Sequence, residues 1–292
     1  MAFDWNLLQS FIAVADDGSL SGAARALGGS QPTMGRHVGA LEAELGVRLF
    51  ERTAHGLELT ATGTDLLEHA RHMAMAAGRL SLTAEGRSEA IAGTIRITAS
   101  EIVATFLLPD ILTQLRRAEP KIEIELAASD RTENLLRHEA NIALRMYRPT
   151  QADVFTRKVG DLRLAMFAAD SYLERRGVPR ALEDFQHHDI IGYDRSDQII
   201  QGFRAAGLNV GRHFFSFRCD NQVVCWRMCV AGYGIGFNQL EIGAVEPRVT
   251  RIDLDTDLPS LPIWLTAHSE LKTSRRVRRV YDFLADALAE LS

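Results

Sequence analysis

Hydrogen-bonding and cationic side chains cluster at the start of one predicted helix near the N-terminus. Amide, hydroxyl and guanidinium groups at this end of a helix contact base edges when the helix lies in a DNA major groove. The spacing of these residues therefore predicts a DNA contact surface. The residues are Ser30, Gln31, Pro32, Thr33, Arg36 and His37.

A second group of cationic side chains follows directly in the chain. Arg48, Arg52 and His55 lie in or beside two short strands that the sequence predicts between Val47 and Leu59. A hairpin next to such a helix forms the wing of a winged helix-turn-helix, and its cations can reach phosphates or the minor groove. The alternative is that these are solvated charges of a hairpin.

A third chemical feature is a serine at a strand end in the C-terminal part of the chain. Ser100 follows the predicted strand Thr94–Thr98, at the point where the next helix begins. Helix N-termini beyond the carboxyl ends of strands offer free N–H groups and a positive dipole end to anions. The sequence therefore predicts that Ser100 and the neighbouring amides hold a carboxylate or another small anion, with a plain helix cap as the alternative.

The cysteines and histidines form no convincing reactive centre. Cys225 and Cys229 are four residues apart on a predicted helix, which admits a thiol sensor or a metal site, and Cys219 precedes them. Zinc usually requires four ligands, and a cytosolic cysteine is most often a small buried hydrophobe, so we favour a structural role and predict no metal site. His187 and His188 are predicted to lie in a polar loop.

Catalytic motifs are absent from the sequence. It contains no G-x-S-x-G, no P-loop, no H-E-x-x-H and no G-x-G-x-x-G at a strand end, so signatures of the common hydrolases and nucleotide-dependent enzymes are missing. We therefore predict no catalytic residues, no cofactor and no enzymatic activity.

Three short helices are predicted to position the DNA contact surface. The first holds the apolar residues between Trp5 and Val14, and Gly28 and Gly29 form the turn between the second and the third. Glycine can adopt the backbone angles of such a turn, and serine with proline in the first turn favours a helix start. This order is that of a helix-turn-helix. The residues predicted to face inward are Ala23, Ala24, Leu27, Met34, Val38, Leu41 and Leu45.

A long helix is predicted from Thr60 to about Glu85. Its apolar side must be covered, and a second copy of the same helix is the simplest cover, although the stripe could also pack on its own domain. Paired recognition helices would suit DNA half-sites about one helical turn apart. The apolar stripe consists of Leu66, Leu67, Ala70, Met73, Ala74, Ala77 and Leu80.

After a linker at 86–93, strands and helices alternate. This order predicts an α/β unit with a mainly parallel sheet covered by helices, organised as two linked lobes with a cleft between them. The predicted strands are Thr94–Thr98, Ile122–Leu126, Ile142–Leu144, Leu162–Ala168, Ile190–Ile191, Phe214–Phe217, Ile235–Phe237 and Ile263–Ala267. The predicted helices lie at Val103–Arg117, Glu133–Arg137, near Tyr172, and from Ser274 to Leu291.

The composition limits the function classes. The chain has 292 residues with 46% hydrophobic and 24% charged residues, which is ordinary for a soluble protein of two domains. It has no apolar run of about 20 residues and no signal-like start, so we expect it in the cytoplasm. The net charge of −5 and the pI near 6.0 argue against a protein that coats nucleic acid nonspecifically.

Charge also limits how the N-terminal part can bind DNA. Residues 1–87 contain seven arginines and ten acidic residues, and the only lysines are Lys121, Lys158 and Lys272. Specific binding therefore depends on the directions in which individual arginine side chains point. Because residues 1–87 contain no lysine, arginine must make the phosphate contacts.

The helix-turn-helix residues above, together with further short motifs along the chain, resemble those of the LysR-type transcriptional regulators. The resemblance covers nearly the whole sequence, and its combination of motifs is specific although each motif alone would be weak. The matching residues are the A-A-R-A-L of Ala23 to Leu27, Ser30-Gln31-Pro32, Leu41-Glu42, Leu45-Gly46-Val47, Leu49-Phe50, Arg52, Leu59-Thr60, Gly63, Gly234 to Phe237 and Leu261 to Leu265. One departure is Gly35, where the family usually has serine before the arginine of the recognition helix.

The resemblance implies a DNA-binding regulator that responds to a small molecule. It implies a winged helix-turn-helix domain at 1–59, a linker and dimerisation helix with a hinge at 60–92, and an effector-binding domain at 93–292 of periplasmic-binding-protein-like fold. Lobe I is expected at about 93–161 and 265–292, and lobe II at about 162–264. The implied partners are double-stranded promoter DNA, a small effector, further copies of the chain as a homodimer or homotetramer, and RNA polymerase, with no membrane and no cofactor.

The resemblance also implies which residues line the effector cleft. A charged Arg145 beside apolar neighbours would favour an amphipathic organic acid. As alternatives, Arg145 is a surface ion-pair partner and Phe203 belongs to the core. The implied residues are Ser100, Glu101, Ile102, Ser129, Arg145, Met146, Tyr193, Phe203, Asn221 and Phe237.

A rival interpretation comes from a different class of protein. A solute-binding or enzymatic α/β protein could carry a helix-turn-helix-like leader whose apolar pattern serves packing alone. An export signal or a catalytic constellation would favour it, and the sequence shows neither.

Overall fold

The computed structural model describes residues 4–53, 56–86, 91–130, 140–149, 154–254, 256 and 258–291. The chain divides into two compact units, Met1–Thr83 and Ala84–Ser292. Over the described residues, no helix combines the length and apolar character that crossing a bilayer requires.

The N-terminal unit is a winged helix-turn-helix. Ser19 Oγ accepts a hydrogen bond from Gly22 N at 3.1 Å, and Ser30 Oγ accepts one from Thr33 N at 3.3 Å, so each helix of the motif begins at a serine cap. Gly46 ends the third helix with a φ of 71°, a conformation that favours glycine. The elements are α1 (Trp5–Asp17), α2 (Leu20–Ala26), α3 (Gln31–Leu45) and an antiparallel hairpin of β1 (Phe50–Thr53) and β2 (Gly56–Leu59).

The core of this unit confirms most of the predicted inward-facing residues. Met34, Val38 and Leu41 of α3 are buried with the small residues of α2 and the apolar face of α1. Leu45 packs at the edge of this core and is partly exposed. The prediction for Leu27 is wrong, because Leu27 follows the last residue of α2 as its C-cap and is 45% exposed.

A long helix, α4 (Ala61–Gly86), confirms the prediction for 60–85. Its first turns belong to the winged domain, where Leu67 and Ala70 are buried. Further along, Met73 is 44% exposed and Leu80 is 76% exposed. Part of the apolar stripe therefore lacks cover within one chain.

The C-terminal unit is built on a curled mixed sheet. Its strand order is β10-β6-β11-β5-β3-β4, with β9 also paired to β6. Among the described strands of this sheet, β3 pairs in parallel with β4 and β5, whereas the pairs of β6 and β11 are antiparallel. A separate two-stranded sheet is formed by the parallel pair β7 and β8. The prediction of a mainly parallel sheet is therefore wrong, because β6 and β11 run back along the sheet. The strands are β3 (Gly93–Ala99), β4 (Ile122–Ala128), β5 (Ile142–Arg145), β6 (Val154–Ala169), β7 (Ile191–Gly192), β8 (Phe217–Arg218), β9 (Gly236–Gln239), β10 (Val249–Ile252) and β11 (Ser260–His268).

Helices cover this sheet, and two of them were not predicted. These are the short amphipathic helix α8 (Gln198–Ala205) and the single-turn helix α10 (Leu240–Gly243). The predicted strand at 214–217 begins only at Phe217, because Phe214 ends a short 3₁₀ helix. The predicted loop at His187 is the end of another 3₁₀ helix, and the helix predicted at 133–137 lies outside the described residues. The helices are α5 (Glu101–Phe106), α6 (Leu108–Ala118), α7 (Asp170–Arg176), α8 (Gln198–Ala205), α9 (Gln222–Val230), α10 (Leu240–Gly243) and α11 (Arg275–Ala289).

Strand β6 joins the two lobes of this unit. Its residues from Val154 to Arg163 pair with β11, and its residues from Leu164 to Ala169 pair with β9 and β10. The same strand thus contributes to the sheet of lobe I and then to that of lobe II. The two-lobed α/β fold expected from the sequence is confirmed.

Candidate nucleic-acid interface and ligand pockets

The start of α3 presents several of the predicted DNA-contacting side chains to solvent. Gln31, Pro32 and Arg36 are exposed. Gln31 and Arg36 have no hydrogen bond or ion pair to another described side chain, so their polar groups are available for a ligand. The hydroxyls of Ser30 and Thr33 lie 2.8 Å apart and bond to each other, which places these two residues in the helix cap.

His37 is placed differently from its neighbours. Its Nδ1 lies 2.8 Å from the hydroxyl of Ser10, a residue of α1 that is 1% exposed. This contact fixes the ring and ties α3 to α1, leaving Nε2 as the ring nitrogen for an outside contact. Sequence reasoning missed Ser10, whose only signal was a polar residue on the apolar face of α1.

The hairpin presents two arginines beside α3. Arg48 has a side chain 84% exposed, 3.7 Å from a carboxylate oxygen of Glu42, and Arg52 is exposed. The other oxygen of Glu42 accepts from Leu49 N at 2.7 Å and Phe50 N at 3.2 Å, which holds the start of the wing against α3. His55 lies outside the described residues.

Gly35 has room for a side chain. A Cβ at this position would lie 3.6 Å from Leu20 Cδ1, an ordinary van der Waals contact, and the φ of Gly35 is not positive. Packing therefore does not require glycine here, and the departure from serine changes the chemistry of the exposed helix face.

The first ligand pocket candidate is a row of buried polar residues in lobe I, which we call the lobe I polar row: Thr98, Ser100, Arg145 and Thr266. Thr98 and Thr266 both pair with Ala143 of the central strand β5, and Arg145 lies two residues further along that strand on the same face. The hydroxyls of Ser100 and Thr266 are buried and have no hydrogen-bond partner among the described residues.

Arg145 is the unusual member of this row. It is 3% exposed, and its guanidinium donates to Thr98 Oγ1 and to Leu144 O, both at 3.0 Å. Within the described ranges, no carboxylate lies within ion-pair distance of Arg145, and its Nε has no hydrogen-bond partner. Burial lowers the pKa of Arg145, an effect that Tyr147 and Asp130 partly offset. Arg145 is thus a buried cation and not a surface ion-pair partner.

Ser100 is not a plain helix cap. At the start of α5, the N–H of Glu101 donates to Asp130 Oδ1 at 3.1 Å, whereas the Ser100 side chain makes no cap bond. Ser129 lies next to this carboxylate, and its own N–H donates to Ala99 O at 2.9 Å. The Ser100 hydroxyl therefore remains available while a carboxylate already occupies the end of α5.

The second pocket candidate lies within lobe II, and we call it the lobe II cavity. It has a volume of about 320 Å³. Of the predicted effector residues, Tyr193, Phe203 and Phe237 line it. Phe203 also packs edge-on against Phe185, Phe214 and Phe237 with ring centroids 5.2 to 5.8 Å apart, so it belongs to the core as well. The other lining residues are Leu164, Met166, Leu182, Gln198, Ile199, Gly202, Ala206, Gln222, Asn238, Gln239, Thr256, Leu258, Pro259 and Leu261.

The remaining predicted effector residues lie where the lobes meet or behind that contact. Asn221 Nδ2 donates to Glu101 Oε2, and Gln239 Nε2 lies 3.5 Å from Met146 Sδ. Ile102 is 1% exposed and belongs to the core of lobe I. The structure thus places Ser100 and Arg145 in the lobe I polar row, Tyr193, Phe203 and Phe237 in the lobe II cavity, and Glu101, Met146 and Asn221 at a contact between the lobes, whereas Ile102 and Ser129 lie outside these three groups.

Several polar residues of these pockets were missed by sequence reasoning. Thr98 and Thr266 lie inside strands whose sequence pattern indicated only burial. Asn238 and Gln239 follow the predicted strand at 235–237, and two amides ending an apolar strand were the signal available for them. 

The thiols of Cys225 and Cys229 contact backbone carbonyl oxygens. Cys225 Sγ lies 3.0 Å from Cys219 O, and Cys229 Sγ lies 3.2 Å from Phe167 O. Burial raises the pKa of both thiols to about 12. These positions support the structural interpretation of both cysteines.

Comparisons with known proteins match both units. A model described as LysR substrate binding domain matches residues 88–289, and one described as bacterial regulatory helix-turn-helix protein, lysR family, matches residues 5–64. ClcR, a regulator from Pseudomonas putida, is 34% identical over 212 residues, which are 70% of this chain and 72% of ClcR. CrgA, a regulator from Neisseria meningitidis serogroup C, is 25% identical over 294 residues and 96% of each chain.

One solved structure among those similar to this chain includes nucleic acid. Full-length CbnR complexed with its target DNA matches with a TM-score of 0.61 and 22% identity, covering 99% of this chain and 100% of that one. At this identity the match concerns the fold.

Proposed function

This chain belongs to the LysR family of DNA-binding transcriptional regulators, which are not enzymes, and from that premise we propose how it reads DNA and senses a ligand. The start of α3 enters the major groove, and the wing lies along the adjacent backbone. Gln31 and Arg36 contact base edges, whereas Arg48 and Arg52 bind phosphates. The observation that carries this proposal is that Gln31 and Arg36 are exposed without a partner in the described part of the unit.

Ser30, Pro32 and Thr33 act in this proposal by shaping the helix start. Their cap fixes the direction from which Gln31 approaches the groove. His37 contributes through Nε2, with its ring oriented by Ser10. His55, which lies between β1 and β2 in the sequence and outside the described residues, remains a candidate for phosphate contact.

We further propose that the effector is a small organic anion held by the lobe I polar row. A buried cation with no carboxylate partner among the described residues is costly, and an anionic ligand would offset this cost. The Ser100 hydroxyl would donate to the same ligand. Because Asp130 already accepts from Glu101 N at the start of α5, we expect the ligand to bind Arg145 and Ser100 rather than that helix end.

Calorimetric titration with a panel of small carboxylates tests this pocket. Loss of a charge-assisted hydrogen bond costs about 1.5 to 3 kcal/mol, so Arg145→Met should weaken carboxylate binding roughly 10-fold or more. Arg148→Met removes an exposed arginine three residues away, which stacks 5.5 Å over Trp264, and should retain the wild-type affinity. Unchanged affinity in both Arg145→Met and Ser100→Ala would eliminate the anion pocket.

Coupling between the pockets and DNA would be a population shift. The contacts Glu101–Asn221 and Met146–Gln239 join the lobes, and a ligand that favours one arrangement of these contacts would change the placement of subunits on DNA. The regulator would act in the cytoplasm as a homodimer or homotetramer and would influence RNA polymerase at a promoter.

Footprinting tests the regulatory proposal as a whole. The DNA flanking the protein's own coding region is digested in the presence of the purified protein, with and without a metabolite extract. We expect a protected region whose extent or affinity changes with the extract. A ligand that binds tightly but leaves both the footprint and transcription unaltered would contradict the coupling.

A further inference from the structure

The lobe II cavity differs in chemistry from the lobe I polar row. None of its lining residues, which all belong to the described chain, carries a charge. Moving an ionised carboxylate or ammonium into such surroundings is unfavourable because no opposite charge replaces its hydration. The cavity therefore disfavours the organic anion proposed for Arg145.

Polar atoms without partners point to a ligand in this cavity. Asn238 is 4% exposed and Gln239 is 1% exposed, and both line the cavity. Asn238 Nδ2 and Gln239 Oε1 have no hydrogen-bond partner in the described parts of the chain, nor has the hydroxyl of Thr256. Gln239 lies on the same face of β9 as Phe237 and pairs with Leu164, which also lines the cavity, whereas Asn238 pairs with Ala165 and faces the other side of the sheet. Buried polar groups are satisfied in most proteins, so the unsatisfied acceptor of Gln239 beside the cavity requires an explanation.

The remaining wall of the cavity sets the shape of the ligand. Aromatic and aliphatic side chains surround it on the other sides, with Phe203 and Phe237 packed edge-on at a centroid distance of 5.7 Å. Tyr193 OH accepts a hydrogen bond from Gln222 Nε2 at 2.7 Å and keeps its own proton for donation. A volume of about 320 Å³ falls at the small end of the range of ~300 to 1,000 Å³ for ligand pockets.

We propose that the lobe II cavity binds a neutral, mainly apolar molecule with a carbonyl or amide group. A donor on that group bonds to Gln239 Oε1, and its carbonyl oxygen accepts from the Tyr193 hydroxyl. The apolar body lies against Phe203 and Phe237. This site is separate from the lobe I polar row, and only its regulatory consequence rests on the proposed function.

The position of the cavity gives such a ligand a route to regulation. Gln239 also contacts Met146 of lobe I through its Nε2. A ligand that bonds to Gln239 Oε1 therefore touches the residue that joins the two lobes. Binding would favour one rotamer of Gln239 and with it one arrangement of this contact.

Matched pairs of probes test the proposal. Benzamide and 2-naphthamide are neutral, whereas benzoate and 2-naphthoate have the same shape with a negative charge. The comparison uses the full-length Arg145→Met variant, in which the proposed anion site of lobe I is removed. We expect at least one amide to bind this variant at one site per chain in calorimetry, at least 10-fold more tightly than its carboxylate. Failure of both amides to bind at millimolar concentration, or equal or tighter binding of the carboxylates at this cavity, would overturn the proposal.

A cavity-filling variant locates the site. Gly202 lines the cavity on α8, and a Cβ there meets no atom within 4 Å, so Gly202→Leu should project into open space. We expect this variant to lose at least 10-fold in amide affinity. Gly211→Leu is the matched control, because a Cβ at Gly211 also meets nothing within 4 Å but Gly211 does not line the cavity, and it should bind as wild type.

Further outcomes separate this proposal from the proposed function. Unaltered amide binding in Gly202→Leu would show that the probe lies elsewhere and would overturn the site. Operator binding, measured on the same preparations, would be unaffected by that failure because it depends on α3. Conversely, amide binding with the expected loss in Gly202→Leu would support the cavity even if no operator were found.

Discussion

At the scale of single residues, the structure separates groups that the sequence presented as equivalent. Gln31 and Arg36 point to solvent from the start of α3, whereas His37 bonds to Ser10 in the core. The sequence allowed two roles for Arg145, a ligand contact or one half of a surface ion pair. Arg145 is only 3% exposed, which excludes the surface role. The sequence could not predict this burial, because it depends on the elements that pack around β5 and not on Arg145 itself.

The thiols give a prediction at this scale. Because burial raises the pKa of Cys225 and Cys229 to about 12, only about 1 in 10,000 of each is a thiolate at pH 8, and thiolate is the reactive form. We expect Ellman's reagent to modify neither cysteine rapidly in the native protein. After unfolding in guanidinium chloride, all three cysteines should react.

The contrary result would revise the role of the cysteines. Rapid native modification of two or three thiols, with loss of the response to ligand, would assign a redox function to this cluster. A Cys219→Ala variant identifies which thiol reacts, since its native protein should show no rapid modification.

At the scale of elements, the serine caps and the glycine ends determine where the helices of the winged domain begin and end. These boundaries could be predicted because capping depends on residues a few positions apart. The polar row and the cavity could not be predicted in the same way. Thr98, Arg145 and Thr266 come together through the pairing of β3, β5 and β11, a long-range registration that periodicity does not encode.

Glycines of α3 and α4 give opposite stability predictions. Gly35→Ala should raise the free energy of unfolding by about 0.5 to 1 kcal/mol, because alanine favours the helix and Leu20 Cδ1 lies 3.6 Å from the new Cβ. Gly63→Ala should destabilise the domain, because its Cβ would lie 2.1 Å from the backbone oxygen of Leu49.

Urea unfolding followed by circular dichroism measures both changes. Gly39→Ala serves as the control, since a Cβ there meets nothing within 4 Å and the change should be stabilising by a similar amount to Gly35→Ala. A stabilised Gly63→Ala variant, or a strongly destabilised Gly35→Ala variant, would contradict the packing described for these two helices.

The uncovered end of α4 gives a prediction about assembly. Leu80 is 76% exposed in the single chain, and a second copy would bury it. Leu80→Asp should therefore weaken self-association, seen as a lower mass in sedimentation velocity at micromolar concentration. Val178→Asp, at a position 59% exposed in lobe II, is the control, and an unchanged mass for Leu80→Asp would place the interface elsewhere.

At the scale of the whole molecule, the negative net charge would oppose binding to DNA, which is itself negatively charged. A chain with a net charge of −5 binds DNA in this account through a few arginines. Because binding to phosphates releases counterions, the slope of log K against log salt reports the number of phosphate contacts. Fold class and family could be predicted from the sequence because many short motifs agree, but the antiparallel return of β6 and β11 could not, since it depends on how distant strands pair.

The phosphate contacts can be counted one at a time. Arg48→Gln and Arg52→Gln should each weaken operator binding and reduce the slope of log K against log salt by about one. Arg71→Gln is the control, because Arg71 bonds to Asp16 at 2.7 Å and should leave the slope unchanged. A wild-type slope in both wing variants would show that the wing does not contact the backbone.

The central claim is that the start of α3 reads base edges as part of a paired unit. Its most direct test is selection of bound fragments from a genomic library by the wild-type protein and by a Gln31→Ala, Arg36→Ala variant, at modest salt with and without small molecules. We predict an enriched sequence with two half-sites separated by about one helical turn or a multiple of it, and loss of that enrichment in the variant. Binding of the wild-type protein with no preference over random duplex would contradict the account.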